Sequence, residues 1–231
     1  MAGKDARARD SASLTHGCAL PSEAFPDWES RFGRKAPLEL EIGPGRGHFA
    51  LDHAALEPAI DLVCIETRRA DCDLIRGRAL RLGLSNLVVL QGDAKLLLPR
   101  LFRPGELSAV HVQFPDPWWK KRHRKRRMVD AELALLLRRL LRPGGIIDFR
   151  TDVPAYAQAA IATWEETGFD NAAGKGNLWT EPPAVLSTRE RRYLRTGQPV
   201  FRARFVNPGP PAGDHLPLAS AGRDWTDVRR R

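Results

Sequence analysis

Between residues 38 and 206, short apolar runs alternate with longer stretches in which apolar residues recur at helical spacing. Leu38–Ile42 (LELEI) alternates as a strand and stops at Gly43. The same reading predicts strands at Ile60–Ile65, Leu87–Leu90, Ala109–Phe114, Ile146–Arg150 and Val200–Val206. Helices are predicted over Ala50–Leu56, over Ala70–Leu82 (where Leu74, Ile75, Ala79 and Leu82 keep a 3.6 period) and over residues 94–101. In Val129–Leu141, Leu133, Leu136, Leu137, Leu140 and Leu141 share one face, and Arg142-Pro143-Gly144-Gly145 reads as a helix stop and turn. A last helix spans 154–168, closed by Gly168. Strands alternating with helices imply right-handed βαβ units and an open, mostly parallel α/β sheet. Ligands of such sheets bind beyond the carboxyl ends of the strands, so the residues just after each strand are the candidates.

With 231 residues, the chain is long enough for one full core. Residues 1–20 and 207–231 read as flexible tails, the second rich in Pro, Gly and Ala, leaving 21–206 as a single domain. No apolar run approaches a membrane span, and the basic N-terminus lacks the apolar region of a secretory signal. Cys18, Cys64 and Cys72 are odd in number and lack metal-type spacing, so neither a disulfide framework nor a metal centre is expected. A cytoplasmic protein is the expectation.

Charge then narrows the partner. Lys and Arg number 37 against 28 Asp and Glu, a net charge of +9, which favours nucleic acid first and a membrane surface second. Residues 120–127 read KKRHRKRR, seven cations and one His in eight positions. Concentrated in one loop directly after FPDPWW, this charge makes a local field able to hold a polyanion at the rim of a site.

The strand ends carry the chemistry. Glu41-Ile42-Gly43-Pro44-Gly45-Arg46-Gly47 is a GxGxG turn, with His48 where the dinucleotide motif needs its third glycine. Strand two ends at Glu66, placed to take ribose hydroxyls of an adenosine, whether of NAD or of S-adenosylmethionine. Asp93, after strand three, can meet an adenine amino group or cap the next helix. Strand four leads to Pro115-Asp116-Pro117-Trp118-Trp119, where two prolines fix the backbone around one carboxylate. Trp118 reads as core support, and Trp119 can stack on a base or pack under the loop.

EIGPGRG, Glu66, Asp93, FPDPWWKKRHRKRR and the late RTD and ERRYLRTG segments together resemble the bacterial tRNA (guanine-N7-)-methyltransferase family over roughly residues 35–206. The resemblance implies a class I methyltransferase fold, Rossmann-like, with a mostly parallel seven-stranded sheet and helices on both faces. It implies S-adenosyl-L-methionine as methyl donor and a guanine in the variable loop of tRNA as acceptor. Position by position, it assigns the cofactor to Glu41, Gly43, Gly45, Glu66, Asp93 and Asp116, with Asp116 also catalytic. Lys120, Asp152, Ser187, Thr188, Arg189 and Glu190 fall on substrate-contact positions, and Lys121, Arg122, Arg124, Lys125, Arg126 and Arg127 on the RNA-backbone segment. Arg189 stands where the family has an aromatic, and Ser187 where it has Thr.

Guanine N7 has a lone pair outside the Watson–Crick edge and yields a cationic product, so no proton must leave and no general base is required. His48, His53 and His111 accordingly read as core or surface residues. Alignment is what the reaction needs, with Asp116, Asp152 and Glu190 as carboxylates able to read the guanine N1–H and amino donors. The alternatives are a methyltransferase acting on another RNA or a protein, and an RNA-binding protein of the same fold without catalysis. An NAD enzyme is disfavoured by the missing glycine and the basic loop. A monomer or homodimer with no obligatory partner subunit is expected.

Overall fold

The computed structural model describes residues 25–117 and 127–209. Strands β1 (Leu38–Ile42), β2 (Asp61–Glu66), β3 (Leu87–Gln91), β4 (Leu107–Gln113), β5 (Leu141–Thr151), β6 (Asp170–Asn171) and β7 (Phe201–Val206) form one sheet in the order β3-β2-β1-β4-β5-β7-β6. β1 to β5 pair in parallel, and β7 runs antiparallel to both β5 and β6. Helices α1 (Trp28–Phe32), α2 (His48–Leu56), α3 (Arg69–Leu82), α4 (Ala94–Leu101), α5 (Ala131–Leu140), α6 (Pro154–Glu166) and α7 (Thr188–Thr196) complete the described elements. Among the described residues no helix is long and apolar enough to cross a membrane.

The two faces of the sheet are covered differently. On one, Leu38, Leu40 and Ile42 of β1 join Leu98 of α4, Leu133 and Leu137 of α5 and Trp164 of α6 in a large apolar core. On the other, Leu62, Cys64 and Val89 pack under Ala50 and Leu51 of α2 and Cys72 and Ile75 of α3 in a smaller one. Cover on both faces explains why the central strands read as nearly continuous apolar runs. It also means that a charged residue in them, such as Glu41 or His111, must find a partner inside.

Most predicted strands and helices are present, with ends shifted by a residue or two. The segment expected to turn at Arg142–Gly145 differs. α5 stops at Leu140 and β5 begins at once, with residues 142–145 forming a bulge: pairing with β4 passes from Leu107↔Leu141 to Ala109↔Ile146. Gly144, at φ +75°, allows that detour, and Asn207 secures it by two 2.8 Å backbone bonds, accepting from Gly144 N–H and donating to the Gly145 carbonyl. The Asn207 side chain donates to the Arg138 and Leu141 carbonyls, so packed chain continues through Gly209, past the expected domain end at 206. α1, the two-residue β6 and α7 were not individually legible in the pattern.

Candidate active site

The glycine turn leaves β1 at the point where the strand order reverses between β1 and β4, the crevice in which open α/β sheets take ligands. Gly43 (φ +69°) and Gly45 (φ +56°) are left-handed, and a Cβ on either would meet nothing within 4 Å. The turn is therefore an open cradle that backbone can line closely. Glu66 closes it from the next strand, Oε2 accepting from Gly45 N–H at 3.0 Å and Oε1 from Arg68 N–H at 2.9 Å and the Thr67 hydroxyl at 3.1 Å. A carboxylate has about four lone-pair sites, so these three donors leave capacity for a ribose hydroxyl. This cradle and its carboxylate fit an adenosyl ligand.

Asp93 is exposed on the same edge and caps α4, accepting from Lys95 N–H at 2.9 Å. Beyond β4, Phe114 takes φ +50°, the one positive value at a non-glycine among the described residues. Such strain persists only when surroundings enforce it. Here the Phe114 N–H donates to the Arg150 carbonyl at 2.8 Å, and its ring is held by Tyr193 (centroids 6.1 Å apart). The kink turns Pro115-Asp116-Pro117 out of the sheet, with Asp116 exposed. Arg127 Nε donates to the Pro117 carbonyl at 2.9 Å, and its guanidinium lies 4.8 Å from the centre of the Tyr156 ring. It thus ties residue 127 back to residue 117. Trp118, Trp119 and the cations Lys120, Lys121, Arg122, Arg124, Lys125 and Arg126 lie outside the described residues.

α7 is brought against the ends of β4 and β5. Ser187 caps it, its Oγ accepting from Glu190 N–H at 3.2 Å, and Thr188 is exposed at the first turn. Tyr193 donates its hydroxyl to Asp152 Oδ2 at 2.6 Å, fixing that carboxylate just after β5. The Arg189 guanidinium sits 5.5 Å from the centre of the Phe114 ring, occupying the place of an aromatic neighbour with a cation–π contact. Glu190 is fully buried and ion-paired at both oxygens: Oε2 accepts from Arg150 at 2.7 Å and Oε1 from Arg202 at 2.6 Å. It anchors α7 to β5 and β7, whereas Asp116 and Asp152 stand at the strand ends.

Sequence reasoning missed the polar band beneath this edge. In register across the sheet run Glu41 (β1), His111 (β4), Asp148 (β5) and Arg204 (β7). Arg150 holds Asp148 at 2.7 Å, and Glu39 Oε2 lies 2.7 Å from His53 Nε2 and 2.8 Å from His111 Nε2. Burial pushes the Glu41 carboxyl up to about 7. The reverse holds at Glu39: desolvation raises its carboxyl, but the hydrogen bonds and charges of His111 and His53 outweigh that and draw it down to about 2. The available signal was alternation: LELEI puts Glu39 and Glu41 on one face of a strand buried on both sides.

A protein-family model described as "Putative methyltransferase" matches residues 35–203. The tRNA (guanine-N(7)-)-methyltransferase of Anaeromyxobacter dehalogenans (strain 2CP-C) is 52% identical over 196 residues, covering 84% of this chain and 98% of that protein. The chain belongs to the tRNA (guanine-N(7)-)-methyltransferase family. Another member, from Myxococcus xanthus (strain DK1622), is 45% identical over 190 residues, covering 82% of this chain and 92% of its own. Among solved structures, the 16S rRNA methyltransferase KamB superposes with a TM-score of 0.59 at 18% identity over 80% of this chain and 94% of that one. The 16S rRNA (adenine(1408)-N(1))-methyltransferase of Catenulisporales acidiphilia, solved with its cosubstrate SAM, gives 0.57 at 16% identity, covering 81% and 92%. At these identities the likeness is one of fold, and it makes this family member a class I, Rossmann-like methyltransferase whose mixed sheet is parallel at its centre.

Proposed function

We propose that this protein methylates N7 of a guanine in the variable loop of tRNA, with S-adenosyl-L-methionine as donor. The observation that carries the reading is the carboxyl edge of the sheet, where the Glu66-closed glycine turn and the exposed Asp116 flank one crevice. Gly43, Gly45 and Glu66 would hold the adenosyl part, with Asp93 at the base and Glu41 beneath the turn. When bound, S-adenosylmethionine supplies an electrophilic methyl group on sulfur. The acceptor N7 brings its own lone pair and gains a positive charge without losing a proton, so the chain need supply no general base. What its residues do is align and neutralise. Asp116, set between two prolines, and Asp152, held by Tyr193, would accept from guanine N1–H and the amino group and offset the developing cation. Glu190 serves by fixing α7 behind them.

Lys120, Lys121, Arg122, Arg124, Lys125 and Arg126 would contact tRNA phosphates, while Arg127, which follows them, bonds the Pro117 carbonyl. Arg189, stacked on Phe114, keeps α7 packed without the family's aromatic, so its presence does not argue for a catalytically silent RNA-binding protein. The setting proposed is the cytoplasm, with no obligatory partner subunit. The test is methyl transfer to tRNA by Asp116→Ala with unchanged circular dichroism. Turnover is expected to fall at least about a hundredfold, the usual effect of losing one electrostatic stabiliser; near-wild-type turnover overturns the role of Asp116.

A further inference from the structure

Glu39 of β1, His53 of α2 and His111 of β4 converge on one point: their ligand atoms all lie within 4.8 Å of one another, both imidazoles turning Nε2 toward the same Glu39 oxygen. The separations of 2.7 and 2.8 Å are those of hydrogen bonds. Ligands of a tetrahedral zinc ion at about 2.0–2.2 Å stand roughly 3.3 Å apart, between the 2.7–2.8 Å Glu39–histidine separations and the 4.8 Å within which all three atoms lie, so modest side-chain torsions accommodate the ion. Two further features favour a ligand. His111 is 5% exposed, and its Nδ1 makes no hydrogen bond but stands 3.9 Å from Asp148 Oδ2. Asp148 thus stands on the side of His111 away from Glu39, where carboxylates stand behind metal-bound imidazoles, and closing that gap to hydrogen-bond length would fix the proton on Nδ1 and leave Nε2 to the metal. Second, a cavity of about 210 Å³, lined by these three residues with Phe49, Asp148 and Arg150, offers room for a water as fourth ligand.

Arg150 and Arg204 line the same cavity, and the Arg204 guanidinium lies 4.9 Å from the centre of the Trp179 ring. Arg150 is committed to Asp148 and Glu190, both at 2.7 Å, and Arg202 to Glu190, so Glu39 is the carboxylate of this band paired with imidazoles alone. Two imidazoles and one carboxylate suit a borderline transition ion better than magnesium or calcium, which prefer all-oxygen shells. We propose that Glu39, His53 and His111 bind one divalent transition-metal ion of the zinc class. The ion would tie α2, which follows the glycine turn, to β1 and β4, whose ends carry that turn and Asp116. It stands apart from the proposed methyl transfer and acts as a brace beneath it.

The test uses the full chain, chelator-treated and desalted, titrated with zinc chloride by calorimetry, with cobalt(II) chloride as an optical probe. Expected are one zinc per chain and the visible bands of four-coordinate cobalt. Glu39→Gln, which keeps the shape and hydrogen-bonding ability of the side chain, and His53→Ala should each weaken binding by more than about tenfold, since even outer-sphere losses do as much. Circular dichroism establishes that each variant is folded. Absence of one-to-one binding, or wild-type affinity in both folded variants, overturns the site and leaves an imidazolium–carboxylate cluster.

Discussion

Glu190 holds α7 against the sheet from a wholly buried position. With no exposed surface and both oxygens paired to arginines, its removal leaves Arg150 with Asp148 as its one carboxylate and takes the carboxylate from the partly buried Arg202. Breaking a buried pair from one side costs about 3–5 kcal/mol. Glu190→Ala is therefore expected to lose that much in urea unfolding, and a loss below about 1 kcal/mol would contradict the anchoring role. Glu41 offers a test in pH. Its folded-state carboxyl lies near 7 against an ordinary 4.5, so the fold favours the protonated form. Its contribution is fully present below about 4.5 and declines as pH rises through about 7. Glu41→Gln should flatten that part of the stability profile, measured by urea unfolding between about pH 5 and pH 8; an unaltered slope would assign the decline elsewhere.

At the scale of elements, the glycine turn joins β1 to α2 through a position with no spare room. Gly47 has φ +74°, and a Cβ there would stand 2.4 Å from Ile75 Cγ1 on α3. Gly47→Ala thus combines a left-handed alanine with overpacking, each worth about 1–3 kcal/mol, and is expected to lower the melting temperature and weaken S-adenosylmethionine binding together. A variant as stable and as tightly binding as wild type would contradict the packing account. Legibility in sequence follows the same division. The turn, Glu66, Asp93 and the FPDP segment are local, each sitting next to a strand whose apolar pattern announces it. The Arg142–Gly145 bulge was misread as a turn because Asn207, which stitches it into the sheet, lies more than sixty residues away. The Glu39–His111 and Arg150–Glu190 pairs are separated by 72 and 40 residues, so only the topology brings them together. α7 escaped notice because its face toward the sheet is made of Glu190 and Tyr193 rather than of an apolar stripe.

For the whole molecule, the sheet divides the work. One face carries the large apolar core that supplies stability, and the other carries a smaller core and the polar band under the site. Seven of the 37 cations fall within residues 120–127, directly after the Pro115-Asp116-Pro117 segment in sequence. Affinity for tRNA should therefore fall steeply with salt, by about 0.9 log units per log unit of salt for each duplex phosphate contacted. Replacing Arg122, Arg124 and Arg126 with Ala should shallow that slope in a filter-binding series, and an unchanged slope would place the contacts elsewhere. Mass spectrometry of nucleosides from tRNA incubated with the protein and S-adenosylmethionine reads the proposed methyl transfer itself. Accumulation of 7-methylguanosine, mapped to the variable loop and absent without the protein, is the expected result. Methyl groups on another base or another position of guanine, or none at all, would contradict it.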